Sequence, residues 1–322
     1  MLPAPAPAGA AAAVAALDCG TNSTRLLIAG PDGAVLEREM RITRLGEGVD
    51  ATRRLSDEAV ARTVAVLADY RRLMDAHGVA RARLVATSAV RDAANAEAFL
   101  AAAADASGVV PEVLSGLEEG RLSFAGAVAG LPGGHEPGPV LVVDIGGGST
   151  ELAAGTVGGP LEEVLAVSLD VGCVRLTERC LHHDPPPASE LAAARAVVDE
   201  LLGEARGVLP PLEPGGLLVG LAGTVSTLAS LAQGLEAYDR ARIHHFELSR
   251  ADVAGWLERL ATDDHDRRLS RPGMAPGRAD VIVGGVLVLD AVMADFDRAR
   301  CLVSEDDILD GIAAGLRLPH LA

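Results

Sequence analysis

Apolar and polar positions along this chain form short runs that stop at glycine-bearing turns. Residues 13–18 and 25–29 read as strands flanking a polar turn, and Pro31-Asp32-Gly33 closes the next hairpin toward a third strand in 35–43. From Ser56 the period lengthens to that of a helix ending near His77, with apolar positions at Val60, Val64, Leu67, Leu73 and Met74. Ser56 suits the N-cap, Asp57 and Glu58 suit the helix dipole, and Gly78 suits the stop. A short strand at 83–87 precedes an alanine-rich helix, and a strand at 110–114 precedes a helix reaching about Gly130. Residues 131–139, L-P-G-G-H-E-P-G-P, read as a linker. Beyond it the pattern gives strands at 140–144 and 216–221 and helices at 189–208 and 250–260, the last capped by Ser249. Residues 280–294 are almost wholly apolar and predict a buried helix. A last strand at 301–303 leads to Ser304-x-x-Asp307, which resembles a capping box for a final helix ending near Leu316.

One phrase occurs twice. Residues 16–28 read A-L-D-C-G-T-N-S-T-R-L-L-I, and residues 142–154 read V-V-D-I-G-G-G-S-T-E-L-A-A. Each is an apolar run, an Asp, a glycine-bearing polar turn with Ser-Thr, and a second apolar run, 126 residues apart. Hairpins followed by alternating helices and strands, in two copies, give an α/β protein with a mixed sheet in each lobe. The cleft between the lobes is the expected ligand site.

At 322 residues the chain can bury two cores. Aromatic residues are only 2%, so those cores are built from Ala, Val, Leu and Ile. There is no lysine, and all 28 basic residues are arginine, which excludes a Walker A loop. A net charge of −17 argues against a nucleic-acid surface. The four cysteines, Cys19, Cys173, Cys180 and Cys301, lack zinc or disulfide spacing and suit reduced thiols in a cytoplasm. The first basic residue is Arg25, so residues 2–13 read as an extended tail rather than a signal peptide. No apolar run reaches the ~18 residues of a membrane span.

The candidate chemistry gathers at the turns. Gly20, Thr21, Asn22 and Ser23 in the first, and Gly146, Gly147, Gly148 and Ser149 in the second, could bring backbone amides close to phosphate oxygens. Asp18 and Asp144, at strand ends, could hold a metal or its water shell. Glu118-Glu119 opens a helix, where paired acids serve either as dipole partners or as a general base. Glu151 beside an anionic ligand makes sense as a metal ligand or water-orienting group. Arg91 stands at the carboxyl end of a strand, and Arg25 and Arg278 are further phosphate candidates. Gly223 and Thr224, in G-L-A-G-T, form either a nucleotide-type turn or a plain strand-to-helix turn. The pairs His182-His183 and His244-His245 have the wrong spacing to share a metal on a strand.

Five segments taken together, A-L-D-C-G-T-N-S-T-R-L-L-I, A-T-S-A-V-R-D-A-A-N, S-G-L-E-E-G-R-L-S-F-A-G, V-V-D-I-G-G-G-S-T-E-L and G-L-A-G-T-V-S-T-L, resemble the exopolyphosphatase/guanosine pentaphosphate phosphatase (Ppx/GppA) family. That family lies within the acetate kinase–sugar kinase–Hsp70–actin superfamily. The resemblance implies two ribonuclease-H-like lobes around an active-site cleft, with residues 1–130 plus 304–322 in the first and 131–303 in the second. It implies a short form, without the C-terminal HD-type domain of long members. Glu119 is then the catalytic base, and Asp144 and Glu151 hold Mg²⁺ or Mn²⁺. Arg91 and the turns bind phosphate, and Arg25 and Arg278 contribute to substrate specificity. The implied activity is exopolyphosphatase action on short chains of inorganic polyphosphate in the cytoplasm, with a possible homodimer and no nucleic-acid or membrane partner. Guanosine pentaphosphate hydrolysis, which would tie the chain to the stringent response, is the nearest alternative. A superfamily kinase and a non-catalytic polyphosphate or alarmone sensor are others.

Overall fold

The computed structural model describes residues 12–132, 138–211, 216–275 and 277–317. The expected N-terminal tail and most of the expected linker lie outside the described residues.

Two mixed sheets form the framework. The first contains β1 (Val14–Cys19), β2 (Ser23–Ala29), β3 (Val35–Ile42), β4 (Arg81–Ala86) and β5 (Pro111–Val113), in the order β3-β2-β1-β4-β5. The second contains β6 (Pro139–Ile145), β7 (Thr150–Thr156), β8 (Leu165–Leu169), β9 (Leu217–Leu221), β10 (Glu247–Ser249) and β11 (Arg300–Val303), in the order β10-β11-β9-β6-β7-β8. Central β1 pairs antiparallel with β2 and parallel with β4, and central β6 pairs antiparallel with β7 and parallel with β9. All six residues of β1 are buried, because helices cover both sheet faces and leave no side for polar alternation.

The helices follow their sequence signals closely at their starts. Ser56 caps Asp57–Ala76 by accepting the Ala59 N–H, and Leu67, Tyr70 and Met74 face the first sheet. Ser249 and Asp252 form a reciprocal capping box on Arg250–Thr262. The apolar helix Ile282–Asp295 runs through the core of the second lobe, with eleven buried residues. The expected Ser304 cap is displaced. Ser304 closes a local turn with Asp306, and Asp307 caps Ile308–Arg317 by accepting the Leu309 N–H at 2.9 Å, with Asp310 accepting the Asp307 N–H at 2.9 Å. An aspartate one position before the helix satisfies the orphan amides directly, so the serine is left outside. Strands β8 and β10 and the helix Cys173–Cys180 are additional to the sequence reading; β8 and β10 are short strands at the sheet edges.

Two helices tie the lobes together. Gly116–Ala129 lays Phe124 and Ala127 against the second sheet, although it follows the first sheet in the chain. Ile308–Arg317 returns from the second sheet and lays Ile308, Leu309, Ile312 and Ala313 on the first. They cross at Gly126 and Gly311, where an added methyl would overlap the Asp307 carbonyl or the Leu122 carbonyl respectively. No helix among the described residues is long and apolar enough to cross a membrane, and all four cysteines are unpaired.

Candidate active site

Each repeated phrase folds as a strand, a tight turn and an antiparallel strand. In the first turn the Gly20 N–H donates to the Ser23 carbonyl at 3.0 Å, and in the second Gly146 donates to Ser149 at 3.0 Å. The Thr21 and Asn22 carbonyls are tied down by the N–H groups of Gly46, Thr43 and Arg44. The N–H groups of Thr21, Asn22, Gly147 and Gly148 donate to no backbone group among the described residues. The two turns meet. A Cβ on Gly147 would lie 2.9 Å from the Thr21 Cβ, and one on Gly148 would lie 2.6 Å from the Ser88 hydroxyl, which itself hydrogen-bonds Thr21 at 2.9 Å. Free amides on facing turns form an anion-binding concavity, and glycine is required at 147 and 148 by this closeness.

Below the turns lie four buried carboxylates, Asp18, Glu119, Asp144 and Glu151. The Glu118-Glu119 ambiguity resolves by helix geometry. Glu118 closes the capping box with Ser115, accepting its N–H at 3.0 Å and its hydroxyl at 2.7 Å. Glu119, one residue on, points to the other side and is buried with Oε2 making no hydrogen bond. Its nearest cation is Arg91, with Nη1 at 3.5 Å; Arg91 also donates to the Leu114 carbonyl at 2.8 Å. Burial, then Glu151, Asp18 and Asp144, raise the Glu119 pKa well above the usual carboxylate range. Asp144 accepts from Ser123 at 2.7 Å, and Glu151 accepts from Ser168 at 2.7 Å. Burial raises Asp144 to about 6 against the pull of Arg25. Burial and Asp144 raise Glu151 to about 8.

Arg25 is not free for a ligand in the manner expected from sequence. It donates from Nε and Nη2 to Asp18 Oδ2 at 3.0 and 2.7 Å, and from Nη1 to Asp307. Arg278 is buried against Gly223, where any side chain would overlap its guanidinium, and it lies near Cys173. It makes no ion pair among the described residues, and burial lowers its pKa. Thr224 is buried one residue on, at the start of the helix Ala222–Gln233.

A divalent cation fits these residues. Asp18 Oδ1 and Glu119 Oε2 are buried without hydrogen-bond partners, and Asp144 and Glu151 are hydrogen-bonded by serine hydroxyls and form no ion pair among the described residues. No three His, Cys, Asp or Glu side chains form a ready-made cage among the described residues. Two carboxylates and retained waters are what magnesium ordinarily takes.

Residues 29–318 match the model of the Ppx/GppA phosphatase family. The chain belongs to that family. It is 47% identical over 319 residues to Exopolyphosphatase 2 of Mycobacterium tuberculosis, covering 94% of this chain and 98% of that one. It is 31% identical to a bifunctional 3-dehydroquinate synthase/phosphatase of Fusobacterium nucleatum, covering 92% of this chain and 45% of that one. Among solved structures, an exopolyphosphatase-like protein superposes with a TM-score of 0.90 at 37% identity, over 96% of this chain and 99% of that one. An Aquifex aeolicus Ppx/GppA protein superposes with a TM-score of 0.80 at 32% identity, over 96% and 98%. The two-lobed α/β architecture is thus that of the Ppx/GppA fold.

In this family member some site-shaping residues are not singled out in the sequence. Ser123 orients Asp144 from within the S-G-L-E-E-G-R-L-S-F-A-G segment, and Ser168 orients Glu151 from β8, a strand the sequence pattern does not predict. Beside the turns, Arg175 joins Asp92 and Asp50 of the first lobe to Asp170 of the second, and Arg179 holds both Asp50 oxygens at 2.6 Å. These ion pairs clamp the cleft on one side. Arg175 is buried, whereas Arg179 is exposed, and their pairing with residues at least 83 positions away is not visible before folding.

Proposed function

We propose that this protein is an exopolyphosphatase that hydrolyses the terminal phosphoanhydride of short inorganic polyphosphate, releasing orthophosphate. The observation that carries the reading is Glu119: a buried carboxylate with an uncommitted oxygen, beside Arg91 and beneath two turns with uncommitted amides. The 47% identity to a protein named Exopolyphosphatase 2 supports the same substrate.

In this mechanism the amides of Thr21, Asn22, Gly147 and Gly148, with Ser23, Ser149, Gly223 and Thr224 at the rim, bind the phosphates. Arg91 fixes the terminal group near Glu119. Glu119 Oε2 accepts a proton from water as the water oxygen bonds to the terminal phosphorus, and the bridging P–O bond breaks toward the shortened chain. A raised pKa makes Glu119 a better proton acceptor than an ordinary glutamate, which suits a general base. Asp144 and Glu151 would hold Mg²⁺ or Mn²⁺, whose bound charge offsets that of the transferring phosphoryl group. Most of the catalysis is then positioning and electrostatics. We place the lobes at 1–130 plus 304–322 and 131–303, with the helix Gly116–Ala129 shared by packing, and the enzyme in the cytoplasm.

Guanosine pentaphosphate keeps one supporting observation, the buried Arg278 with no ion-pair partner among the described residues. Phosphate release from short polyphosphate, long polyphosphate and guanosine pentaphosphate, with Mg²⁺, separates the readings. Short polyphosphate should turn over fastest, and Glu119→Gln should lower kcat by about a thousandfold. A wild type that prefers the guanosine substrate would overturn the polyphosphate reading, and an active Glu119→Gln would overturn the role of Glu119.

A further inference from the structure

Arg25 lies among the active-site acids, yet one of the two carboxylates that hold it there comes from the far end of the chain. Asp307 lies in the segment that leaves β11 and returns to the first sheet. On that segment Glu305 accepts from Ser226 and Tyr238, and Asp306 from Arg240, all three residues of the second lobe. Asp307 itself is buried and uses its two oxygens differently. Oδ1 caps the last helix through the Leu309 N–H at 2.9 Å, and Oδ2 takes the Arg25 Nη1 donor. A cap needs only the first of these contacts, and Ser or Asn would serve it as well. The second fixes the guanidinium of Arg25, whose remaining two bonds both go to Asp18 Oδ2. A planar fork gripped from two directions cannot rotate, so its charge stays over the acid cluster.

We propose that Asp307 is a positioning residue for the hydrolytic site, holding Arg25 against Asp18 and thereby making the carboxylate cluster depend on the segment that joins the two lobes. The proposal rests on the reading of that cluster as a phosphohydrolase site. Asp310 provides an internal contrast. It accepts the Asp307 N–H and pairs with Arg38 at 2.5 Å, without touching Arg25.

The test is a double-mutant cycle of Asp307→Asn and Arg25→Met, with Asp310→Asn alongside. Asn keeps a capping oxygen but loses the charge that grips Arg25. Asp307→Asn should lower kcat for short polyphosphate about tenfold, some 1.4 kcal/mol, with KM within about twofold. In the Arg25→Met background it should have almost no further effect. Asp310→Asn should lower Tm and leave kcat in place. Equal losses in both backgrounds, or an unchanged kcat in Asp307→Asn, would overturn the proposal. Asp307→Ser, which retains a capping hydroxyl too short to reach Arg25, repeats the test if the Asn variant does not fold. A readout independent of turnover is the ¹⁵N–¹H signal of the Arg25 Nε–H, assigned by its loss in Arg25→Met. It should be resolved and slow to exchange in the wild type and in Asp310→Asn, and lost or broadened in Asp307→Asn. An unchanged signal in Asp307→Asn would sink the positioning role even in a protein that hydrolyses nothing, so the two readings fail separately.

Discussion

The two hairpins that floor the cleft have the same backbone and opposite electrostatics. Both place an Asp at the end of a central strand, close the turn with a 3.0 Å glycine-to-serine hydrogen bond, and set one residue of the return strand directly across from the Asp. In the first lobe that residue is Arg25, opposite Asp18. In the second it is Glu151, opposite Asp144. Burial raises Asp18, Asp144 and Glu151 alike, but the first hairpin bonds an arginine to its Asp, whereas the second sets a further carboxylate there. A repeated fold has been made asymmetric at a single cross-strand pair, and the asymmetry assigns roles. One side pairs its acid with an arginine, and the other leaves two acids facing each other, bonded only by serine hydroxyls.

The sharpest way to break the contrast is to remove the second acid pair. Glu151→Gln should lower kcat roughly a hundredfold and raise the Mg²⁺ concentration needed for half-maximal rate. A variant with wild-type Mg²⁺ response would show that the pair does not hold the metal. A smaller effect follows from proton linkage. Glu151 is raised from 4.5 to about 8, so without metal the folded state holds a proton that the unfolded state has released. Where the folded state binds more protons, stability falls as pH rises. The Tm of chelator-treated protein should therefore decline between about pH 5 and pH 8, and Mg²⁺ should restore more of it at pH 8. Glu151→Gln should flatten that slope, and an equal slope in the variant would remove Glu151 as its source. The smallest effect tests the neutral partner. Ser123→Ala deletes the 2.7 Å hydrogen bond to Asp144 and should cost about fivefold in kcat, with Asp18 and its Arg25 contact undisturbed.

This asymmetry was partly legible before folding. The repeat itself, the Ser56 and Ser249 caps and the buried helix near 280–294 are local patterns, and local patterns survive in sequence. Arg25 shows where the reading stopped. As a lone arginine it looked like a phosphate ligand, although the tight turn at 20–23 already places it across from Asp18. Its second partner, Asp307, is 282 residues away and has no sequence signal beyond an ordinary helix start. The Glu118-Glu119 pair was divided in sequence only by the family resemblance, because by local pattern either acid suits a first helical turn. The capping box decides it by using up Glu118. Ser304 misled for the converse reason: its spacing to Asp307 fits a cap, but the helix begins three residues later. The Arg175 clamp is made of contacts between lobes, and although Arg175 and Asp92 lie in family-like segments, nothing local pairs them.

The crossing of the two glycines, Gly126 and Gly311, has a mechanical meaning. Helices that mesh side-chain ridges into grooves resist both sliding and turning, like gears in contact. Here, at the crossing itself, backbone rests on backbone, and side chains such as Leu122 mesh only to either side. The distance between the helices at that point is set by backbone atoms rather than by side chains. Such a joint acts as a spacer: a side chain at either glycine would have to push the two helices, and the sheets they carry, apart.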